Sequence, residues 1–226
     1  MHNMKGINSY YRELTEDDIN NRAHRAFVGG MWEEIGKLQF DFMLKSGLQP
    51  EHKLLDLGCG CLRGGLHFIN YLEEQHYYGL DINNSLINAG KIEIQEAGLT
   101  HKSPNLLVDD SFLIERFGQK FDFMISISLF THLPLELIHK CLSEVRKNLK
   151  PDGIYYATFF LAPASSHTED IRQEPGGIVT KYNSDPFHYS VDEIASVAES
   201  AGLNFTMYGD WQHPRNQKMA SFRLRN

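Results

Sequence analysis

The fold is decided by the stretch Leu54-Leu55-Asp56-Leu57-Gly58-Cys59-Gly60-Cys61-Leu62-Arg63-Gly64-Gly65. Its apolar first part predicts a short strand over 53–57, and the apolar spacing after the glycines predicts a helix over 62–72. Glycines in the turn between them let the backbone approach a ligand closely. In open α/β sheets such a turn lies at the carboxyl edge of the strands, where ligands bind. We therefore expect a binding site at this turn.

Strand and helix patterns alternate after the turn. Apolar runs predict further strands, and helical spacing or capping signals predict helices between them. The strands are expected at 77–82, 105–108, 121–126, 153–161, 203–208 and 218–224, and the helices at 84–97, 134–148 and 190–202. This order indicates an α/β fold with a doubly wound, mostly parallel, seven-stranded Rossmann-like sheet and helices on both faces.

Two segments fall outside this alternation. Helical spacing before the first strand, opened by a capping box of Thr15 and Asp18, predicts an N-terminal helical extension over 1–48. The ligand-binding domain then occupies 49–226. Residues 163–189 show no period, and a segment of this length inside a compact domain is typical of a lid or a binding loop.

Composition and charge restrict the partners. The net charge is −7, whereas proteins that bind nucleic acid usually present a basic surface, so we expect no nucleic-acid substrate. No apolar run is long enough for a membrane span, and Met1 to Tyr11 lacks the apolar segment of a secretory signal. The three cysteines show neither a disulfide framework nor metal-ligand spacing. We therefore predict a cytoplasmic protein with no metal and no membrane partner.

Acidic side chains follow the ends of three predicted strands. Asp56 lies two residues before Gly58, where it would repel the pyrophosphate of a dinucleotide but attract the ammonium group of a methionine moiety. Asp81 ends the next strand and can accept hydrogen bonds from both hydroxyls of a ribose. Asp110 can accept a hydrogen bond from an adenine amino group. The alternative for Asp81 and Asp110 is helix capping. The carboxylate at Asp56 favours a sulfonium nucleoside over NAD.

These residues together resemble the class I S-adenosylmethionine-dependent methyltransferases. The resemblance rests on Leu54–Gly60, Gly79–Ile82, Asp110, Phe121–Pro134 and Lys150–Gly153, and it covers about residues 50–225. It implies that 49–226 is a methyltransferase domain with S-adenosylmethionine as cofactor. One departure is Leu62, at a position where the family often has glycine. We expect the cofactor to be bound by Asp56, Gly58, Cys59, Gly60, Arg63, Asp81, Ile82, Asp110, Ser111, Ser126 and Ser128.

A histidine follows the fourth strand, close to where the family brings methyl group and acceptor together. An alcohol acceptor needs a base near its hydroxyl, and His132 is suited to this near neutral pH. The alternative is that His132 only packs or caps the next helix. His188, among apolar neighbours in the loop, is the second candidate for a catalytic role. Arg172 and Lys181 are candidates for anchoring an anionic acceptor.

The leading hypothesis is methyl transfer to an oxygen of a small, sugar-like or anionic acceptor. A second hypothesis is methylation of nitrogen on a small amine or a protein side chain. The Asn/Asp-Pro-Pro-Tyr type of motif that the family often supplies for nitrogen acceptors is missing from Ser126 to His132. The non-enzymatic alternative is a module that binds the nucleoside without turning it over, and an NAD-dependent oxidoreductase is the most distant one.

Overall fold

The computed structural model describes residues 9–163 and 168–225, which divide into two compact units, 9–111 and 112–225. Each unit contains its own strands and helices. The N-terminal helices belong to the same unit as the glycine-rich turn. The division into an extension over 1–48 and a methyltransferase domain over 49–226 stays a prediction.

The first unit consists of parallel strands connected by helices. Its elements are α1 (Glu16–Asn20), α2 (Ala23–Phe27), α3 (Trp32–Lys45), β1 (Leu54–Leu57), α4 (Gly65–Tyr71), β2 (Tyr77–Asp81), α5 (Asn84–Glu96) and β3 (Asn105–Val108). Strand β2 lies between β1 and β3, and both of its pairings are parallel. All residues of β1 and β2 are buried, as expected of strands in a covered parallel sheet.

The N-terminal helices share an apolar core with the turn and α5. Leu14, Cys61, Leu86 and Ala89 form this buried cluster, and side chains of α1 to α3 pack against it. The capping box of Thr15 and Asp18 is confirmed. The single helix expected after it is interrupted at Arg22, whose φ is 58°. This break divides the segment into α1 and α2, with Arg22 paired to Glu96 of α5.

The second unit combines a parallel pair of strands with an antiparallel hairpin. Its elements are β4 (Phe121–Ser126), α6 (Leu135–Asn148), β5 (Leu149–Leu161), β6 (Ile171–Gln173), β7 (Ile178–Thr180), β8 (His188–Tyr189), α7 (Val191–Ser200), β9 (Leu203–Gly209) and β10 (Lys218–Leu224). Strand β5 pairs in parallel with β4 and β8 and antiparallel with β10, and β10 pairs with β9. The predicted mostly parallel α/β class, with its terminal hairpin, is confirmed.

The segment predicted to lack regular structure contains three short strands. Strands β6 and β7 form a small antiparallel hairpin, and β8 extends the pairing of β5. Strands of two or three residues are too short to show a period in the sequence, so periodicity could not reveal them. Residues 164–167 of this segment lie outside the described part of the chain.

Leu62 explains why α4 begins three residues later than predicted. Its φ is 71°, a left-handed conformation that an α-helix cannot contain and that is unfavourable for a non-glycine residue. Its side chain is fully buried and lies against two glycines: a Cβ added at Gly65 or Gly90 would come within 2.9 Å of its atoms. The leucine therefore stands where the family often has glycine because glycines on α4 and α5 leave room for it.

We predict that Gly90→Ala destabilises the protein only while Leu62 is present. In the natural sequence the new methyl group would lie 2.9 Å from Leu62 Cγ, and overpacking of this kind costs about 1–3 kcal/mol. In a Leu62→Ala background the same change should stabilise α5 by about 0.5–1 kcal/mol, because alanine is the better helix former. Urea unfolding of the single and double variants measures the coupling.

The control is Asn88→Ala, on the exposed side of the same helix. Its effect on the free energy of unfolding should be the same in the natural sequence and in the Leu62→Ala background. A Gly90→Ala effect that is likewise independent of the side chain at position 62 would contradict the packing described.

Candidate functional site

The glycine-rich turn is held against the end of β2 by backbone hydrogen bonds. The amides of Gly58 and Cys59 donate to the carbonyl of Leu80, at 2.8 and 3.2 Å. The amide of Gly60 donates to Oδ2 of Asp81 at 2.8 Å. Gly58 and Gly60 have φ of 74° and 54°, a left-handed conformation that glycine adopts without strain. The turn and the Asp81 carboxylate, predicted from separate stretches of sequence, are thus brought into direct contact.

Asp56 is a buried carboxylate next to this turn. Its side chain accepts a hydrogen bond of 2.9 Å from the hydroxyl of Tyr77. Burial raises the pKa of Asp56 from 3.8 to about 7; the Tyr77 hydrogen bond opposes this rise, and the negative charge of Asp81 adds to it. Near neutral pH this carboxyl group is therefore partly protonated, and a ligand that favours the ionised form causes it to release its proton.

Asp81 is the second buried carboxylate. Besides Gly60, the amide of Asn83 donates to it, at 2.9 Å. Burial raises its pKa, and these backbone amides oppose the rise. Within the described residues, neither Asp81 nor Asp56 forms an ion pair with a lysine, arginine or histidine. Two buried carboxylates without a bonded cation form a site that suits a positively charged ligand and disfavours a pyrophosphate.

The other predicted cofactor residues of this unit have more varied surroundings. Cys59 is buried and its pKa is raised well above 9.0 by burial, so its thiol is protonated. Arg63 donates through Nη1 to the carbonyls of Val28 and Gly30, so it holds the turn before α3. Ile82 follows Asp81 and is half-buried. Asp110 is exposed and accepts a hydrogen bond from the hydroxyl of Ser111.

In the second unit, His132 and Asp185 form a hydrogen-bonded pair. His132 lies in a turn of 3-10 helix after β4, and its Nδ1 is 2.5 Å from Oδ1 of Asp185. Both side chains are partly buried, at 22% and 17% exposure. The amide of Phe187 donates to the carbonyl of Thr131 at 2.7 Å, which fixes the Asp185 segment beside the histidine. A carboxylate at Nδ1 is the arrangement that orients a histidine for proton transfer.

The two predicted serines bond within the second unit. Ser126 is fully buried and accepts a hydrogen bond of 2.7 Å from the Tyr155 hydroxyl. Ser128 has a left-handed φ of 63°, and its amide donates to the hydroxyl of Thr158. The hydroxyl of Ser128 also bonds with Gln217. This network fixes the backbone just past β4, and roles of the serines toward a cofactor stay predictions.

His188 lies deeper than a group that meets a substrate usually does. It is fully buried on β8, and its Nδ1 lies 2.8 Å from the hydroxyl of Thr180. This contact joins β8 to β7, which favours a structural role; a catalytic role for His188 stays a prediction. Arg172 and Lys181 are exposed, and Arg172 pairs with Glu174 at 2.7 Å.

Comparison with known proteins agrees with this geometry. Residues 55–155 match the family model of a methyltransferase domain. This segment is therefore similar to a methyltransferase domain, which agrees with the predicted likeness to proteins that use S-adenosylmethionine.

Relatives of this chain are distant. It is 27% identical to an uncharacterised protein of Rickettsia prowazekii over 71% of this chain and 60% of the relative. It is 31% identical to a sterol 24-C-methyltransferase of Gibberella zeae over 56% of this chain and 32% of the relative. The chain therefore spans less than two thirds of the length of either protein.

The fold is shared with a solved methyltransferase. The magnesium protoporphyrin IX methyltransferase of Synechocystis PCC 6803, with bound SAH (S-adenosylhomocysteine), superposes with a TM-score of 0.63 at 15% identity. The superposition covers 92% of the present chain and 97% of the Synechocystis chain. This likeness extends the match in fold beyond the residues of the family model.

Neither a membrane-crossing helix nor a metal cluster occurs in the described part of the chain. None of the helices in residues 9–163 and 168–225 has the length and apolar character that a membrane crossing needs. In the same residues, no three His, Cys, Asp or Glu side chains are grouped so as to hold a metal ion.

Sequence reasoning missed two hydrogen-bond partners, one in each unit. Tyr77 begins β2 and bonds to Asp56, and Asp185 bonds to His132 across 53 residues of chain. The parallel pairing of β1 with β2 is the signal that places Tyr77 near Asp56, since Leu54 pairs with Tyr77. No local spacing could have paired Asp185 with His132.

We predict that Asp56→Asn stabilises the unliganded protein at neutral pH and weakens cofactor binding. The folded pKa of Asp56, about 7, lies above the unfolded value of 3.8. Its contribution to stability is therefore full below pH 4 and is lost as pH rises through 7, by up to about 1.4 kcal/mol per pH unit. Asparagine removes this loss, because its side-chain oxygen still accepts from Tyr77. Urea unfolding between pH 5 and 8 gives the difference between variant and wild type.

Asp56→Asn should lower the affinity for S-adenosylmethionine although it raises the stability of the unliganded protein. In the wild type this affinity should fall as pH drops below 7, because a protonated Asp56 attracts an ammonium group weakly, whereas in Asp56→Asn it should be low at each pH. Asp41→Asn, at an exposed ion pair with Lys37, is the control and should show neither effect. Parallel stability curves for wild type and Asp56→Asn would mean that the raised pKa is wrong.

Proposed function

We propose that this chain transfers a methyl group from S-adenosylmethionine to an oxygen of a small-molecule acceptor. The observation that carries the proposal is the pairing of His132 with Asp185 just past β4. A base of this kind is needed for a hydroxyl acceptor, which must lose a proton as its oxygen is methylated. The activity of the whole chain is part of this proposal, because the chain matches less than two thirds of the length of its relatives.

The first unit supplies the groups that would hold the cofactor. S-adenosylmethionine supplies, when bound, a methyl group on a positively charged sulfur. We assign Asp56 to its ammonium group and Asp81 to the ribose hydroxyls. The support for this assignment is that both carboxylates are buried without a bonded cation. The backbone of Gly58 to Gly60 would lie along the cofactor, because glycine leaves the turn without side-chain bulk.

Asp110 and Ser111 complete the assigned set in this unit. They follow β3, where the carboxylate of Asp110 can accept a hydrogen bond from the adenine amino group. Arg63 acts through the turn that it holds, and Cys59 packs as a buried thiol. Ser126 and Ser128 act through the backbone past β4.

His132 acts as the base for the acceptor. The Asp185 carboxylate accepts from Nδ1–H, so the lone pair that takes the acceptor's proton is on Nε2. Asp185 also stabilises the imidazolium that forms when Nε2 takes the proton. The remaining work of the site is to hold the hydroxyl oxygen about 3 Å from the methyl carbon and to exclude water.

The acceptor class follows from the base. We propose a small polar metabolite with a hydroxyl group, sugar-like or anionic. Arg172 and Lys181 are the candidates for the anionic class; both side chains are exposed. Three buried, unpaired thiols suit a reducing compartment, so we assign the reaction to the cytoplasm.

We predict that His132→Ala lowers kcat by about 10²- to 10⁴-fold and leaves the affinity for the donor nearly unchanged. Asp185→Asn should lower kcat less, because the imidazole of His132 remains and only the carboxylate that orients it is lost. The assay uses labelled donor with a panel of small alcohols, phenols, amines and alkenes.

The matched control is His139→Ala, an exposed histidine on α6. It should keep wild-type turnover and wild-type donor affinity. An equal loss of donor affinity and turnover in His132→Ala would make that histidine structural. Label in amine or alkene products alone would overturn the oxygen acceptor and leave the cofactor assignment intact.

A further inference from the structure

The segment before α1 is fixed to the loop that follows β2. We call residues 9–15 the N-terminal strap. The side-chain amide of Asn83 donates to the carbonyls of Tyr10 and Arg12, at 2.8 and 2.9 Å. The amide of Leu14 donates to the hydroxyl of Ser85 at 2.8 Å. Leu14 itself is buried, so the strap is part of the packed structure of this unit.

Asn83 connects the strap to the carboxylate assigned to the ribose. Its backbone amide donates to Asp81 Oδ1 at 2.9 Å, and its side-chain oxygen accepts from the amide of Leu86 as the N-cap of α5. The residue is almost fully buried, with 2% exposure. One residue thus fixes the Asp81 carboxylate, the start of α5 and the strap relative to one another.

Tyr11 brings a polar atom into this region without a protein partner. Its hydroxyl is buried and has no hydrogen-bond partner within residues 9–163 and 168–225. Its pKa is raised by burial and, to a smaller extent, by the negative charge of Asp110 nearby. The phenol therefore stays protonated and is a hydrogen-bond donor. A buried donor left unsatisfied costs stability, so such a group requires an explanation.

We propose that Tyr11 is a cofactor-binding residue whose hydroxyl donates to N1 of the adenine ring. This inference rests on the proposed function, in which Asp110 accepts from the adenine amino group. The amino group of adenine is a donor and the adjacent N1 is an acceptor. A carboxylate can accept from the amino group while a neighbouring phenol donates to N1, so Asp110 and Tyr11 match this edge of the ring. The strap is then a wall of the nucleoside site, and Asn83 is the positioning residue that holds it.

Calorimetry of S-adenosylhomocysteine binding to Tyr11→Phe tests the proposal. The variant keeps the ring and removes only the hydroxyl, and we expect its affinity to fall by about 3- to 30-fold. The 1-deaza analogue, which has a carbon in place of N1, should bind wild type and Tyr11→Phe equally. The melting temperature of unliganded Tyr11→Phe should equal or exceed that of wild type, because an unsatisfied hydroxyl is removed. The control is Tyr208→Phe, an exposed tyrosine on β9, which should keep wild-type affinity for both ligands.

The outcomes separate this inference from the function on which it rests. Unchanged affinity of Tyr11→Phe for S-adenosylhomocysteine, while wild type binds tightly, overturns the role of Tyr11 and leaves the methyltransferase function standing. Equal losses for S-adenosylhomocysteine and its 1-deaza analogue overturn the assignment to N1. A lower melting temperature of unliganded Tyr11→Phe means that the hydroxyl serves the fold and overturns the proposal. Failure of wild type to bind S-adenosylhomocysteine overturns the proposed function itself.

Discussion

The burial of two carboxylates without a bonded cation is the constraint on which the first unit depends. Asp56 and Asp81 are both buried, and the charge of Asp81 disfavours ionisation of Asp56. Removing a carboxylate from water is unfavourable unless a positive group or several hydrogen bonds compensate for it. Backbone amides from the glycine turn and from Asn83 compensate in part at Asp81, and a phenol does so at Asp56. These hydrogen bonds do not fully offset the cost of burying the two carboxylates, and a cationic ligand can offset the rest. Stability is thereby exchanged for affinity, as is common at functional sites.

Much of the fold could be predicted because it is specified locally. The glycine turn, the capping boxes at Thr15 and Ser190, and the apolar strands each depend on residues that are close in sequence. The errors occur where backbone conformation depends on distant packing. The left-handed φ of Leu62 is tolerated because of Gly90, on another helix, and the break at Arg22 coincides with its pairing to α5. Helical spacing alone contains neither contact, so a sequence pattern extends the helices through both positions.

The site was predictable to the same extent and for the same reason. Asp56 and Asp81 could be identified because strand ends in a parallel sheet share one edge. Tyr77, which bonds to Asp56, is brought there by a tertiary contact. The bonds from Asn83 to the strap are tertiary contacts as well. Asp185, the partner of His132, lies 53 residues away in the sequence. Its segment has no period, so nothing in the sequence distinguishes it from the other polar residues of the loop. For His188 the sequence showed only its apolar neighbours, and the structure adds the hydrogen bond with Thr180.

The position of Asp56 on the pH scale also has a consequence for the heat of ligand association. A group whose pKa is about 7 is roughly half protonated in a neutral solution. A ligand that requires its ionised form displaces that proton into the medium, where the buffer takes it up. The measured enthalpy then contains the ionisation enthalpy of the buffer, so titrations in Tris and in phosphate would differ in heat while agreeing in affinity. Association of such a ligand is then linked to the protonation of Asp56.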